Sequence, residues 1–194
     1  MSNIFQTLES EAFRKGINPR TKESRAWFRR KASSLGRVNR NQLMKEEPLA
    51  LKTKFQPGAM TMFFYDPKTK DKLPYYDSFP LVIVVDGADN GFYGLNLHYL
   101  PPTLRAKFLD GLMDTLTDKK YDENTRFGLS YQYLKRTAKL KYFKPCFKHY
   151  LSNNVRSRFA MVPAPEWEIA AFLPTADFQK SSRSKVYKDS RGMI

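Results

Sequence analysis

The sequence predicts an α+β protein: a small antiparallel β-barrel core with helices packed at its edge and a basic N-terminal helical arm. Three observations predict it. After a Pro57-Gly58 turn, Met60, Met62 and Phe64 alternate with Thr61, Phe63 and Tyr65, the period of a strand with apolar residues on both faces. Phe79 to Val85 is a near-continuous, β-branched apolar run, which suits a strand covered on both sides. Behind Pro101-Pro102, Leu104, Phe108, Leu112 and Leu116 recur at four-residue spacing, the stripe of a helix packed on a core.

The organisation expected along the chain is a basic helical arm over 1–54, the barrel with helical additions over 55–178, and a basic tail over 179–194. In the arm, Ile4, Phe5, Leu8 and Ala12 make one helical face, with Ser2 as cap and Gly16 as stop. Asn18-Pro19 turns the chain, and Thr21 caps a second helix from Lys22 to Ser34 that carries Trp27 and Phe28 among outward arginines. A third short helix is expected from Asn39 to Ala50, with Gln42 three residues after its cap. Within the core, Asp66-Pro67-Lys68 breaks the first strand, and the polar run from Lys68 to Lys72 loops out before Phe79 to Val85 returns. Asp86 to Gly91 turns the chain again, and Phe92 to Leu97 closes a three-stranded meander.

Beyond the long helix, Thr117 to Asn124 reads as a polar connection. Ser130 to Lys139 reads as a helix with Tyr131, Leu134 and Ala138 inward. KLKYFKP reads as extended, and Pro145 as the first position of a helix that turns Phe147, Tyr150 and Leu151 inward. Phe159 to Val162 suits a strand, and Trp167 to Phe172 a short helix or strand ended by Pro174. From Gln179 the composition is that of a mobile tail.

Composition narrows the function. With 41% hydrophobic and 14% aromatic residues there is enough apolar surface to offset chain entropy, so the chain folds. Nothing approaches the roughly 18 apolar residues of a membrane span, and Glu9 and Glu11 stand where a signal peptide would be apolar, so a soluble, cytoplasmically made protein is expected. One cysteine, Cys146, and two histidines, His98 and His149, leave little for a disulfide or a zinc site. The net charge of +15 is concentrated: residues 1–54 carry +8 and residues 129–160 another +8, while 55–99 carry −2. Two cationic blocks around a slightly acidic core attract polyanions.

Sites for chemistry are sparse. Cys146 and His149 are three apart, but no third group orients them for nucleophilic catalysis. Asp66, Asp77, Asp86, Asp89, Glu166 and Glu168 are the carboxylates available to hold magnesium, several at turn positions where aspartate caps backbone. Phosphate loops and H-E-x-x-H are absent from the sequence. Binding has more material, because RAWFRRK, YQYLKRTAKLKYFKPCFKHY and NNVRSRF interleave cations with rings that can stack. The expected contact residues are Arg25, Arg29, Arg30 and Lys31 in the first block, with Lys135, Arg136, Lys139, Lys141, Lys144, Lys148, Arg156 and Arg158 in the second. The second set has no acid among it, so it repels itself unless DNA or an acidic partner compensates.

Two resemblances bear on these residues. QPGAMTMFFYDPK through PLVIVV resembles the opening of SH3-like barrels of the growth-inhibitor toxin type, which implies an SH3-like closure of the core. The stretch PGAMTMFFYDPKTKDKLPYYDSFPLVIVVDGADNGFYGLNLHYLPPTLRAKFLD, with KYFKPCFKHYL, SRF and AAFLPTADFQKSS, is similar to proteins of large contractile-tailed bacteriophages, some described as virion or DNA-end-protector proteins. That likeness implies a phage origin, and with the two basic blocks and the sparse sites for chemistry the expectation is a non-enzymatic virion component, made in the host cytoplasm and ordered among phage structural proteins. It would contact DNA or acidic neighbouring subunits near the neck or tail, without cofactor or metal. A purely structural baseplate or tail adaptor is the first alternative, and a metal-dependent DNA-processing enzyme the second.

Overall fold

Helix α1 (Ile4–Arg14) is capped by Asn3 in place of the expected Ser2, its side chain accepting the Phe5 amide at 2.9 Å, and the chain leaves it through Gly16 at a φ of +69°. The computed structural model describes residues 3–117, 120 and 132–192. Helix α2 (Lys22–Ser33) starts with a reciprocal cap, the Thr21 hydroxyl accepting the Ser24 amide at 3.1 Å and the Ser24 hydroxyl accepting the Thr21 amide at 3.0 Å. Helix α3 (Arg40–Leu43) is shorter than expected, although Asn39 caps it as the sequence predicts. The Glu46 carboxylate turns back to accept the Ile4 amide, Pro48 supplies no amide of its own, and the chain becomes strand β1 (Ala50–Lys52) instead.

The remaining elements are β2 (Met60–Met62), β3 (Tyr76–Asp77), β4 (Leu81–Ala88), β5 (Gly91–Asn96), α4 (Pro102–Thr117), α5 (residues 132–139), β6 (Phe147–Leu151), β7 (Phe159–Val162), α6 (Trp167–Ala170), β8 (Phe178–Gln179) and α7 (Arg183–Gly192). The meander β2-β4-β5 stands as predicted, antiparallel throughout, and lies at the middle of a six-stranded sheet ordered β1-β7-β2-β4-β5-β6. The α+β class holds. The sheet is open: β1 pairs with β7 and β6 with β5, and helices rather than ring closure cover the inner face, so the expected SH3-like barrel is not what these strands form.

Strand β4 is buried on both sides because its two faces meet two apolar clusters. Leu81, Ile83 and Val85 join the main core, together with Phe5, Trp27 and Val186 from the two ends of the chain. Val82 and Val84 point the other way, into a cluster of Phe63, Tyr65, Phe92, Tyr150 and Phe159. Arm, sheet and C-terminal region therefore share one core.

Gly91 is required by close approach: a Cβ there would collide with the carbonyl oxygen of Tyr150 on β6. Gly91→Ala should push β5 and β6 apart at a cost of about 1–3 kcal/mol. Thermal melts should register this as roughly 2–4 °C per kcal/mol.

Three expectations change. The predicted helix from Pro145 is instead a 3-10 turn (Lys141–Cys146) followed by strand β6, with Tyr150 inward and Phe147 on the exposed side, because β5 offers a free edge that the segment pairs with. KLKYFKP, expected extended, lies largely in that 3-10 turn, and the choice left open for Trp167 to Phe172 falls to helix at α6. The basic tail is ordered as α7, which buries Val186 and anchors Ser190 through its hydroxyl to the Tyr99 carbonyl at 3.0 Å. Leu134 on α5 is buried as predicted, whereas Tyr131 and most of the Thr117 to Asn124 connection lie outside the described residues.

Candidate nucleic-acid interface

Burial of Trp27 and Phe28 fixes the rotation of α2 and leaves Arg29 and Arg30 facing away from the core. Across from them stands Arg183 at the start of α7. Together these three arginines line a groove of about 570 Å³, with Ser33, Pro102 and Tyr187 on its walls and no carboxylate among the described residues that line it. Arg105 lies beneath as a fixed strut. Its guanidinium donates to the carbonyls of Leu100 (2.7 Å), Ala171 (2.9 Å) and His98 (3.3 Å) and to the Tyr187 hydroxyl (2.7 Å). Converging guanidinium groups on a rigid floor suit phosphate oxygens, which accept from such forks in pairs.

A second cavity, of about 300 Å³, opens beside β3 and β6 and is lined by Tyr65, Tyr75, Tyr99, Tyr150, Lys68 and Lys148, among others. Strand alternation turns Lys148 inward with Tyr150, and its ammonium lies 4.0 Å above the Tyr99 ring. Burial holds the Lys148 pKa below that of an ordinary lysine. The tyrosines are held in place: the Tyr65 hydroxyl accepts the Leu151 amide at 3.1 Å, and the Tyr150 hydroxyl accepts from Asn96 at 3.0 Å.

Behind this wall lies a buried polar network centred on Asp77. Its carboxylate accepts from the Phe79 and Asp177 amides and the Asn96 side chain, each at 3.1 Å, and from His98 Nδ1 at 2.6 Å. Burial disfavours the Asp77 anion, but His98 and these donors outweigh it and keep the carboxyl below its usual range. Burial also holds His98 below its ordinary value, so the ring is neutral, donating from Nδ1 and accepting from Thr175 at 3.0 Å through Nε2. With its strong acceptors and donors already engaged, the pair braces β3, β5 and β8 together, and Asp77 reaches the cavity lining with its carboxylate already committed to these donors.

The predicted contact residues fare differently. Arg29 and Arg30 line the groove, while Lys31 is paired with Glu11 at 2.6 Å. Arg25, expected outward, is buried between Asp110 and Glu168 and ties α2 to α4 and α6. In the second block, Arg136, Lys139, Lys141, Lys144 and Arg158 are exposed. Lys135 pairs with Asp86 at 3.2 Å and Arg156 with Asp66 at 3.7 Å, so both meet acids from the core meander. Cys146 and His149 do not meet as a catalytic pair: burial pushes the thiol up to about 12, and His149 is exposed against Tyr93. Among the described residues, no three of His, Cys, Asp and Glu gather as a metal site.

Sequence reasoning missed Arg183, Tyr187 and the tyrosine cavity. A signal for the first two exists, because Ser182 three residues before Lys185, with Val186 and Ser190 four apart, is a capped amphipathic turn within a polar segment. The cavity draws its residues from the loop between β2 and β3, from β3 and β6, and from the turn after β5, which no local pattern joins.

Fold and surface together define an α+β protein that gathers cations and aromatic rings into concave sites, the class of surface that polyanions occupy. A family model described as the phage T4 terminal DNA protecting protein matches residues 6–191. The chain belongs to that bacteriophage family. Comparison with curated proteins and with solved structures gave no significant match. No helix among the described residues is long and apolar enough to cross a membrane.

Proposed function

We propose that this protein binds the ends of the phage's DNA within the virion and shields them from exonucleases by occupancy, without catalysing a reaction. The observation that carries the reading is the groove where Arg29, Arg30 and Arg183, drawn from opposite ends of the chain, converge on a floor fixed by Arg105. Family membership supports the same role. The exposed cations Arg136, Lys139, Lys141, Lys144 and Arg158 serve as a second contact for DNA or for acidic neighbouring subunits, at the neck or tail side of the particle.

The test is binding of linear duplex DNA against salt. Each phosphate contact contributes about −0.9 to the log–log slope, so replacing Arg29, Arg30 and Arg183 with alanine should flatten it by about 2.7. Affinity near 0.15 M salt should fall by roughly 10²-fold, the counterion-release worth of three contacts relative to 1 M. Protection of the ends in an exonuclease digest should fall in parallel. Stability should change little, since exposed charges contribute about 0–1 kcal/mol. An unchanged slope would remove the groove from the interface.

A further inference from the structure

Lys148 is a cation that forms no ion pair among the described residues. It is partly buried against Tyr99, yet Lys68 lines the same cavity and adds a second positive charge. A cation drawn out of water into an aromatic cavity is costly unless a negative group joins it. Tyrosine rings make up much of the remaining lining, with the hydroxyls of Tyr65 and Tyr150 already engaged by the protein, and the one carboxylate among the described residues that line it, Asp77, is committed to its own four donors. The partly exposed Tyr75 supplies a further ring. Anion-seeking ammonium groups beside planar apolar rings match one ligand chemistry: a phosphate joined to a base. At about 300 Å³ the cavity stands at the small end of ligand sites, which suits one nucleotide and not a run of them.

We propose that the cavity holds the terminal nucleotide of a DNA strand, its 5′-phosphate against Lys148 and Lys68 and its base stacked on Tyr75. This rests on the reading above that the protein binds DNA ends, and it explains how an end is told from the middle of a duplex. The last base pair has a stacking neighbour on one side alone, so opening it costs less than the few kcal/mol of extruding an internal base. A base stacked on an aromatic side chain returns about 1–3 kcal/mol. Within a continuous strand both sides of the nucleotide are tethered and the exchange is lost.

The experiment uses the full chain and two hairpin-derived duplexes of one sequence, one with a single open 5′-phosphorylated end and one closed at both ends. The open duplex should bind about 5- to 150-fold more tightly, the stacking energy converted at 1.4 kcal/mol per tenfold. Lys148→Met and Tyr75→Leu should each erase most of that preference and leave closed-duplex binding unchanged. The groove triple variant should weaken both duplexes alike. With wild-type protein alone, 2-aminopurine at the terminal position should change its emission on binding, and the same probe placed centrally should not. Binding of both duplexes with equal affinity, or a terminal probe that does not respond, would overturn the cavity's role and leave the end-protection reading standing. Failure to bind either duplex would overturn both.

Discussion

Asp77→Ala should leave a protein that cannot hold its fold, with the urea midpoint reduced to a small fraction of the wild-type value. The methyl group removes the acceptor shared by four donors: the Phe79 and Asp177 amides, Asn96 and His98. At 3% exposure the site gives them no water to turn to. A buried donor left unsatisfied costs roughly 1–3 kcal/mol, and a domain holds only about 5–15 kcal/mol in all. Asp77→Asn keeps one carbonyl oxygen and should lie between the two. Equilibrium unfolding by circular dichroism measures all three, and an Asp77→Ala midpoint equal to wild type would show that the network carries no stability. The same result bears on the enzyme alternative. Loss of DNA cleavage in this variant would report unfolding, so a nuclease test belongs on exposed carboxylates instead.

The second large effect is expected from Val84→Asp, which should give insoluble protein. Val84 is fully buried on β4, among Phe63, Phe92 and Phe159. A carboxylate placed there stays protonated, and holding a group of ordinary pKa near 3.9 neutral at pH 7 costs about 4 kcal/mol. Lost contact with three rings adds to this. Val84→Thr, nearly the same shape, separates polarity from packing and should remain soluble with a lowered melting temperature. Recovery of Val84→Asp in the soluble fraction with a native spectrum would mean that the aromatic face of the sheet is open to water.

The central meander and helices α1, α2 and α4 were legible because short-range rules determine them. Alternation, Pro-Gly and Asx turns, and side-chain caps all act within a few residues. Strand β6 was not, since Phe147, Tyr150 and Leu151 fit a helical spacing as well as an extended one, and the deciding partner, β5, lies some fifty residues earlier in the chain. Arg25 was misjudged for a related reason. Counting charges along the arm cannot reveal Asp110 and Glu168, which arrive from α4 and α6 and convert an apparent contact residue into an internal tie. The tyrosine cavity lay furthest from view. Its residues lie in four separate stretches of sequence, and only the folding of β6 beside the turn after β5 and the loop between β2 and β3 gives them a common opening. The two cationic blocks, by contrast, keep exposed members, although Arg25 is buried, Lys148 turns into the cavity, and Lys31, Lys135 and Arg156 pair with acids, while Arg183 comes from outside both blocks.

Because α7 supplies one wall of the arginine groove while α2 supplies the other, the groove is absent from any nascent chain in which Arg183 has not yet left the ribosome. Polypeptides interrupted shortly before that point carry both basic blocks without the wall that completes the groove. Translation thus imposes an order: the second wall of the groove is the last part of it to be made.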